Sequence, residues 1–248
     1  MFQRLIQNMP PVVKNLTILC TIIWLAMAFV PVLDNSLTRW CALHYFTSPG
    51  FNLAQLFSYM FLHASFAHLF FNMFALVMFG GIIERTMGSQ RFLFYYISCG
   101  LFAALVQLGA FAVTLSTYHD MFNPEQWNEI INKGWELMQN NYNFADPTLG
   151  RINSLVNGPV VGASGAIYGV ILAFGMLFPN QPIYLFFIPV PIKAKYMVIG
   201  YGLLELSLGL GSVSDNVAHF AHLGGMIAGV ALILYWKKKG VFNNHWFF

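Results

Sequence analysis

The 248-residue chain is 58% hydrophobic and only 8% charged, with a net charge of +3 and a mean hydropathy of +0.62. Soluble domains are roughly 45–50% apolar and about 25% charged, so this composition excludes a water-soluble fold and predicts a protein embedded in a lipid bilayer. The small, scattered positive charge does not indicate a nucleic-acid partner.

The chain begins with a polar, basic stretch over residues 1–15, and the first apolar run lacks the small-residue site of a cleavable signal. Apolar runs long enough to cross ~30 Å of hydrocarbon follow at Leu16–Leu33, His63–Ile83, Phe92–Thr114, Pro159–Phe178, Tyr196–Val213 and Val217–Trp236. We therefore predict an all-α membrane protein, a six-transmembrane-helix bundle in one domain over residues 16–236. Residues 1–15 and a short tail over 237–248 are expected to be cytoplasmic.

The orientation follows from the basic residues. With the N-terminus inside, nine of the twelve Lys and Arg residues fall in cytoplasmic segments, and only Arg39, Lys133 and Arg151 fall outside. This positive-inside bias predicts an N-in, C-in topology.

One long polar insert, residues 115–157, separates the third and fourth predicted spans on the outer side. Asn123 is suited to cap a helix that begins at Pro124. Apolar residues then recur at helical spacing, among them Trp127 and Trp135. Such a stripe fits a helix on the membrane surface and equally fits a helix packed on the outer loops.

Strongly polar side chains inside a membrane indicate function, because they are costly in lipid. Predicted spans two, four and six all run from outside to inside. Asn72, Ser164 and His222 lie nine, five and five residues into these spans. At 1.5 Å per residue the three side chains share a depth of roughly 7–14 Å below the outer surface. We expect them to meet in one site.

Glycines provide the closeness that such a site needs. Ser164 lies between Gly162 and Gly165, and His222 is followed by Gly225 and Gly229 on the same helix face. Small residues let two membrane helices approach closely, and a serine hydroxyl must come within ~2.6–3.2 Å of an imidazole for that base to activate it. The alternative is that these are ordinary packing glycines beside a serine bonded to its own helix.

His219 is the other histidine of span six. Leu223 and Met226 follow it at offsets four and seven, and such bulky residues would hold two helices apart. We therefore predict that His222 is the base and that His219 is a structural or pocket residue. His63, five residues before His68, is expected to be structural.

His68 and Asn72 are four residues apart and so lie on one helix face. Their side-chain N–H groups, with the backbone N–H of Ser164, are suited to stabilise an oxyanion. The alternative is a polar contact that only holds the bundle together. Tyr168 lies one turn below Ser164, where its ring would pack on His222.

No carboxylate is expected to complete a triad. Glu84 lies at the cytoplasmic end of span two, Asp215 lies in the loop before span six, and Glu205 is expected to bond within the bundle or to reach the outer interface. We therefore predict a Ser–His dyad whose base is oriented by Tyr168. The three cysteines, Cys20, Cys41 and Cys99, have neither metal-ligand nor redox spacing, and no metal or other cofactor is expected.

Three segments together resemble the signatures of rhomboid intramembrane serine proteases: Gly162-Ala163-Ser164-Gly165, Ala221-His222-Leu223-Gly224-Gly225 continuing to Gly229, and His68-Leu69-Phe70-Phe71-Asn72. The resemblance implies that Ser164 is the nucleophile, His222 the general base, His68 and Asn72 the oxyanion hole, and Tyr168 the ring stacked on the imidazole. It implies cleavage of single-pass membrane proteins without a cofactor, in a bacterial inner membrane with the active site open to the extracytoplasmic side.

The chain departs from the family pattern at Ala54-Gln55, where many members carry Trp-Arg. This puts the usual contacts of the first loop in doubt. A transporter or channel is an alternative, but it should show paired broken helices or repeats, and the sequence has neither. A proteolytically inactive relative is another, although such proteins are expected to lose the serine or the histidine.

Overall fold

The structure, a computed structural model, describes residues 9–184, 190–211 and 218–242. In these residues the chain forms helices α1 Pro11–Phe29, α2 Pro31–Cys41, α3 Gln55–Ser58, α4 Phe66–Met87, α5 Ser89–Ser116, α6 Pro124–Gln139, α7 Pro147–Asn157, α8 Ser164–Leu177, α9 Ala194–Leu210 and α10 His219–Lys238. Single 3₁₀ turns lie at Tyr59–Phe61 and His119–Met121. Strands β1 Pro182–Ile183 and β2 Ile192–Lys193 pair antiparallel.

The protein is an integral membrane protein, as its helices show. Within the described ranges, four helical stretches are long and apolar enough to cross a bilayer, namely α1, α4, α10 and the segment Ser89–Met121 that contains α5. Helix α8, with 14 residues, and α9, with 17, are shorter. Large apolar side chains remain exposed on the outside of the bundle, as Phe29 and Val113 are at 76% and 72%. Such surfaces are normal where lipid is the solvent.

Helix α8 is the centre of the bundle, because eleven of its fourteen residues are buried. It packs mainly against α10 and α5, and α9 covers α10 on another side. The tyrosine hydroxyl of Tyr95 on α5 donates to the Gly169 carbonyl of α8 at 2.7 Å. The buried Gln107 of α5 accepts at 3.0 Å from the backbone N–H of Ala221 at the start of α10, which also donates to the Ala218 carbonyl at 2.9 Å.

The six predicted spans all overlap helices, but several of their predicted bounds are wrong. The first helix ends at Phe29 rather than Leu33, because Pro31 begins a separate helix and Val30 takes an extended conformation. The second begins at Phe66, where the Ser65 hydroxyl caps it by accepting from the His68 N–H at 3.1 Å. Val213, the predicted end of span five, and Val217, the predicted start of span six, lie outside the described residues, as do residues 1–8 and 243–248.

Helix α4 contains one π-helical turn, Leu76–Gly80, between two α-helical parts. Below this turn the Glu84 carboxylate accepts from the backbone N–H groups of Val12 at 3.0 Å and Val13 at 2.8 Å. These donors belong to the first turn of α1, where N–H groups have no partner within the helix. A buried carboxylate thus ties the end of α4 to the start of α1.

The predicted helix of the insert is confirmed as α6. Asn123 and Gln126 form a reciprocal capping box, with N–H···O distances of 2.9 and 3.0 Å. The structure favours packing on the outer loops, because a Cβ on Gly134 would lie 2.7 Å from Cγ of Asn153 on α7. In addition, the Trp135 ring meets the buried His44 ring edge-on at 5.3 Å.

Gln55, one of the two residues that depart from the family pattern, holds the first loop. Its side chain is fully buried. Its Oε1 accepts from the His44 N–H at 3.2 Å, and its Nε2 donates to the Gly50 carbonyl at 2.8 Å. An amide with both a donor and an acceptor therefore fixes the loop backbone at this position.

Candidate active site

Ser164 stands at the first residue of α8 rather than inside a helix, which corrects the predicted start of this span at Pro159. The residues before it are extended, because Leu43 and Val160 exchange two backbone hydrogen bonds of 2.9 Å. Gly162 then turns the chain at φ +125°, a conformation that side-chain-bearing residues rarely adopt. The turn leaves the first N–H groups of α8 beside the serine without partners in the helix.

Ser164 and His222 are in direct contact. The Oγ of Ser164 lies 2.7 Å from Nε2 of His222, a hydrogen-bond distance between a hydroxyl and an imidazole. His222 is buried, at 7% exposure, and Ser164 is partly buried. Helices α8 and α10 thus bring together two residues separated by 58 positions in the chain.

Glycines on one face of α10 allow this helix to approach α8 closely. A Cβ on Gly225 would lie 2.7 Å from the carbonyl carbon of Gly165 and closer still to its oxygen. Lower down, a Cβ on Gly229 would lie 3.4 Å from the Cα of Gly169. The predicted close approach of the two helices, with Gly225 and Gly229 at the contact, is therefore present in the structure.

Tyr168 packs on the imidazole as the sequence predicts. Its ring stacks on that of His222 with a centroid distance of 4.1 Å and an interplanar angle of 7°. Its hydroxyl donates a short hydrogen bond to Oε1 of Glu205. Tyr168 therefore contacts both the imidazole and a carboxylate of the next helix.

The expectation that no carboxylate reaches the site is wrong. Glu205 of α9 is 4% exposed, and its Oε2 lies 3.0 Å from Nδ1 of His222 and 2.6 Å from Nδ1 of His219. The comparison of depths made above for spans two, four and six also selects Glu205 in span five. Glu205 lies five residues before Leu210, the last residue of α9, and so about 7 Å from the end of that helix. Its approach to His222 depends on which face of α9 packs on α10, and α9 has too weak an apolar pattern to predict that face. Asp215 lies outside the described residues.

The two contacts of Oε2 differ in geometry. The His219 contact is a short hydrogen bond. The His222 contact is at ion-pair distance, but Nδ1 of His222 is poorly aligned for a hydrogen bond to any described group. Glu205 is therefore held by Tyr168 and His219 and presents its charge to His222.

The His68 ring lies beside the backbone that leads into Ser164, and Asn72 lies one turn further along α4. A Cβ on Gly162 would lie 2.7 Å from Cε1 and from Nε2 of the His68 ring, so this imidazole rests against the backbone just before the serine. Asn72 is buried, and its Nδ2 donates to the His68 carbonyl at 2.8 Å. The amide retains a second N–H. His63 is buried outside α4, with its ring 5.1 Å from that of His68.

Glu205, His219 and His222 also meet a distance condition for metal ligands, since their donor atoms all lie within 4.8 Å of one another. Their separations of 2.6 and 3.0 Å are shorter than the roughly 3.4 Å that a tetrahedral ion with bonds of ~2.0–2.2 Å would impose. In this arrangement the Glu205 carboxylate is hydrogen-bonded to His219 and lies at ion-pair distance from His222.

These helices and this site define a membrane protein with a serine–histidine pair in the interior of its bundle. Residues 50–239 match the family model of the Rhomboid domain. The chain belongs to the rhomboid family, whose members include intramembrane serine proteases.

Three relatives illustrate the family. The chain is 30% identical over 194 residues to RHOMBOID-like protein 12, mitochondrial, of Arabidopsis thaliana, covering 77% of this chain and 48% of that protein. It is 29% identical over 181 residues to Rhomboid protein 1, mitochondrial, of Saccharomyces cerevisiae, covering 72% and 40%. It is 25% identical over 235 residues to the Putative rhomboid protease YdcA of Bacillus subtilis, covering 90% and 86%. The chain therefore spans less than half of the two mitochondrial relatives and most of the bacterial one.

Proposed function

We propose that this protein is an intramembrane serine endopeptidase that cleaves single-pass membrane proteins in or near their transmembrane segments. The observation that carries the proposal is the 2.7 Å contact between Ser164 Oγ and His222 Nε2 at the junction of α8 and α10. A serine bonded to an imidazole is the arrangement that activates a hydroxyl for attack. An inactive relative would have no need to keep this pair in contact.

In the proposed reaction His222 takes the proton of Ser164 as Oγ attacks the scissile carbonyl carbon. The electron pair of the C=O bond moves onto its oxygen, which the backbone N–H of Ser164, the His68 ring and the free N–H of Asn72 stabilise. His222 then gives the proton to the leaving amine, the C–N bond breaks, and water releases the acyl-enzyme by the same route.

The proposed topology has six spans with both termini in the cytoplasm. Helices α8 and α9 are short, but α8 is surrounded by protein, where a membrane segment need not cover the full width of the lipid. The extended residues before Ser164 then line the outer side of the site, and the active site opens to the extracytoplasmic side. A bacterial inner membrane is the proposed location, and the bilayer and single-pass proteins are the proposed partners.

A serine-reactive fluorophosphonate probe tests this function. We expect the full-length protein in detergent to be labelled and to cleave single-span reporter proteins, and Ser164→Ala to abolish both. Ser207→Ala is the matched control, since Ser207 is exposed on α9 and bonds the Leu203 carbonyl of its own helix at 2.8 Å. Cleavage retained by purified Ser164→Ala, or a wild-type protein that neither cleaves nor labels, would refute the proposal.

A further inference from the structure

Glu205 is a carboxylate buried inside a membrane helix bundle. A charge in such a place is costly unless donors compensate it. The two oxygens of Glu205 have these donors, since Oε1 accepts from Tyr168 and Oε2 lies 2.6 Å from Nδ1 of His219. The carboxylate is therefore fixed from two helices, α8 and α10.

This fixed carboxylate lies on the opposite side of His222 from the serine. Nε2 of His222 faces Ser164 Oγ at 2.7 Å, and Nδ1 faces Glu205 Oε2 at 3.0 Å. To accept the proton of Ser164, Nε2 must be unprotonated, so the ring proton must be on Nδ1. A negative oxygen next to Nδ1 favours that tautomer.

We propose that Glu205 is the third member of the catalytic assembly, a positioning residue that selects the tautomer of His222 and stabilises its protonated form. This inference rests on the proposed function. Tyr168 takes part twice, because its ring stacks on His222 while its hydroxyl holds Glu205. His219, expected to be structural, holds the other oxygen of the carboxylate.

The proton balance of the step is simple. The proton of Ser164 moves to Nε2 of His222 as the Oγ–C bond forms, which leaves an imidazolium between the oxyanion and Glu205. Glu205 stays ionised throughout and takes no proton. When the proton passes from Nε2 to the leaving nitrogen, the imidazole returns to its neutral Nδ1–H form.

The effect should be mainly electrostatic. Nδ1 of His222 is not aligned for a regular hydrogen bond to Oε2. Replacing a well-aligned triad aspartate by asparagine lowers kcat by about 10⁴-fold. For Glu205→Gln we expect a smaller loss of kcat, about 10²-fold, with KM within about twofold of the wild type.

A pH profile separates this role from a structural one. Among the described residues, the titratable groups facing His222 are Tyr168 from α8, Glu205 from α9 and His219 on its own helix, with His68 of α4 within electrostatic range. A carboxylate beside an imidazole favours its charged form. Removing that charge should therefore move the acidic limb of the kcat/KM profile of Glu205→Gln to lower pH.

The experiment compares Glu205→Gln and Glu205→Asp with the wild type in detergent, by reporter cleavage across pH. Glu205→Asp keeps the charge but withdraws it by one methylene, so it should recover part of kcat and part of the profile shift. Glu84→Gln is the matched control, because it neutralises another buried carboxylate that lies in contact with α1. It should leave the pH profile unchanged.

The outcomes are distinct. A folded Glu205→Gln variant with wild-type kcat and an unchanged pH profile would overturn the inference about Glu205. Cleavage by the wild-type protein would uphold the proposed function in that case. If Glu205→Gln does not yield a monodisperse protein, Glu205→Asp decides, and wild-type kcat with an unmoved profile in that variant overturns the inference. An inactive wild-type protein would instead refute the proposed function, and the inference with it.

Discussion

Gly225→Ala tests the contact on which the proposed chemistry depends. The new Cβ would lie 2.7 Å from the carbonyl carbon of Gly165 and closer still to its oxygen. Ordinary contacts between carbon atoms are about 3.5–4.0 Å. The obstacle is backbone, which cannot rotate aside, so α10 and α8 must separate by about 1 Å.

This separation acts directly on the reacting atoms, because Gly165 follows Ser164 and Gly225 lies one turn below His222. Lengthening the 2.7 Å contact between Oγ and Nε2 by about 1 Å would take it beyond the ~3.2 Å limit for proton transfer. A displacement of this size typically lowers turnover about 10²-fold. Overpacking should cost only about 1–3 kcal/mol of stability. Gly225→Val should be more severe in both respects.

The assay is reporter cleavage and fluorophosphonate labelling of a protein shown to be monodisperse in detergent. Ala231→Val is the control, since Ala231 is exposed on the same helix and the larger side chain would face outward. We expect Gly225→Ala to fold and to lose most of its activity, and Ala231→Val to remain active. Wild-type turnover in Gly225→Ala would show that the serine–histidine contact does not depend on this glycine.

Three further predictions concern other parts of the molecule. Asn72→Ala should lower kcat by about 10²–10³-fold with little change in KM, because its amide is used as charge develops on the oxyanion; a raised KM alone would indicate a binding role. Glu84→Ala should lower the free energy of unfolding by about 1–3 kcal/mol, seen as a lower Tm, since two N–H groups of α1 lose their acceptor; an unchanged Tm would contradict this. Burial lowers the pKa of His44 in the folded protein, so the contribution of the neutral His44 side chain to stability is complete above about pH 6.5 and is lost as pH falls below that value. Tm should therefore fall less steeply between about pH 7.5 and 5 in His44→Gln than in the wild type. An equally steep fall in the variant would refute this prediction.

Much of the bundle is predictable because apolar length and glycine spacing are local properties. The contact of Ser164 with His222 follows from equal depth and from a face without side chains, both visible in the sequence. The extended run before Ser164 is not visible there, since Leu43 must pair with Val160 from a distant loop to hold it. An apolar run alone does not distinguish such a segment from helix.

The position of Glu205 beside His222 is a second feature that the sequence alone does not predict. Its depth matches that of His222, but almost every side chain of α9 is apolar or small, so no stripe indicates which face meets α10. The choice is made by tertiary packing, where Gly209 lies against His219 and Phe220. The same holds for Gln55, whose role in the first loop depends on the backbone groups of the loop residues His44 and Gly50.

The π-helical turn of α4 sets the angular phase between the two ends of this helix. An α-helix advances about 100° per residue, and a π turn inserts one additional residue into that sequence of angles. Above the turn Asn72 is buried in the bundle, and below it the Glu84 carboxylate accepts from the first turn of α1. If all five residues of Leu76–Gly80 took the regular α-helical advance instead, one end of the helix would rotate relative to the other by about 100°. Glu84 and Asn72 could then no longer both keep their present positions, so the one additional residue of the π turn couples the anchoring of α1 to the proposed active site.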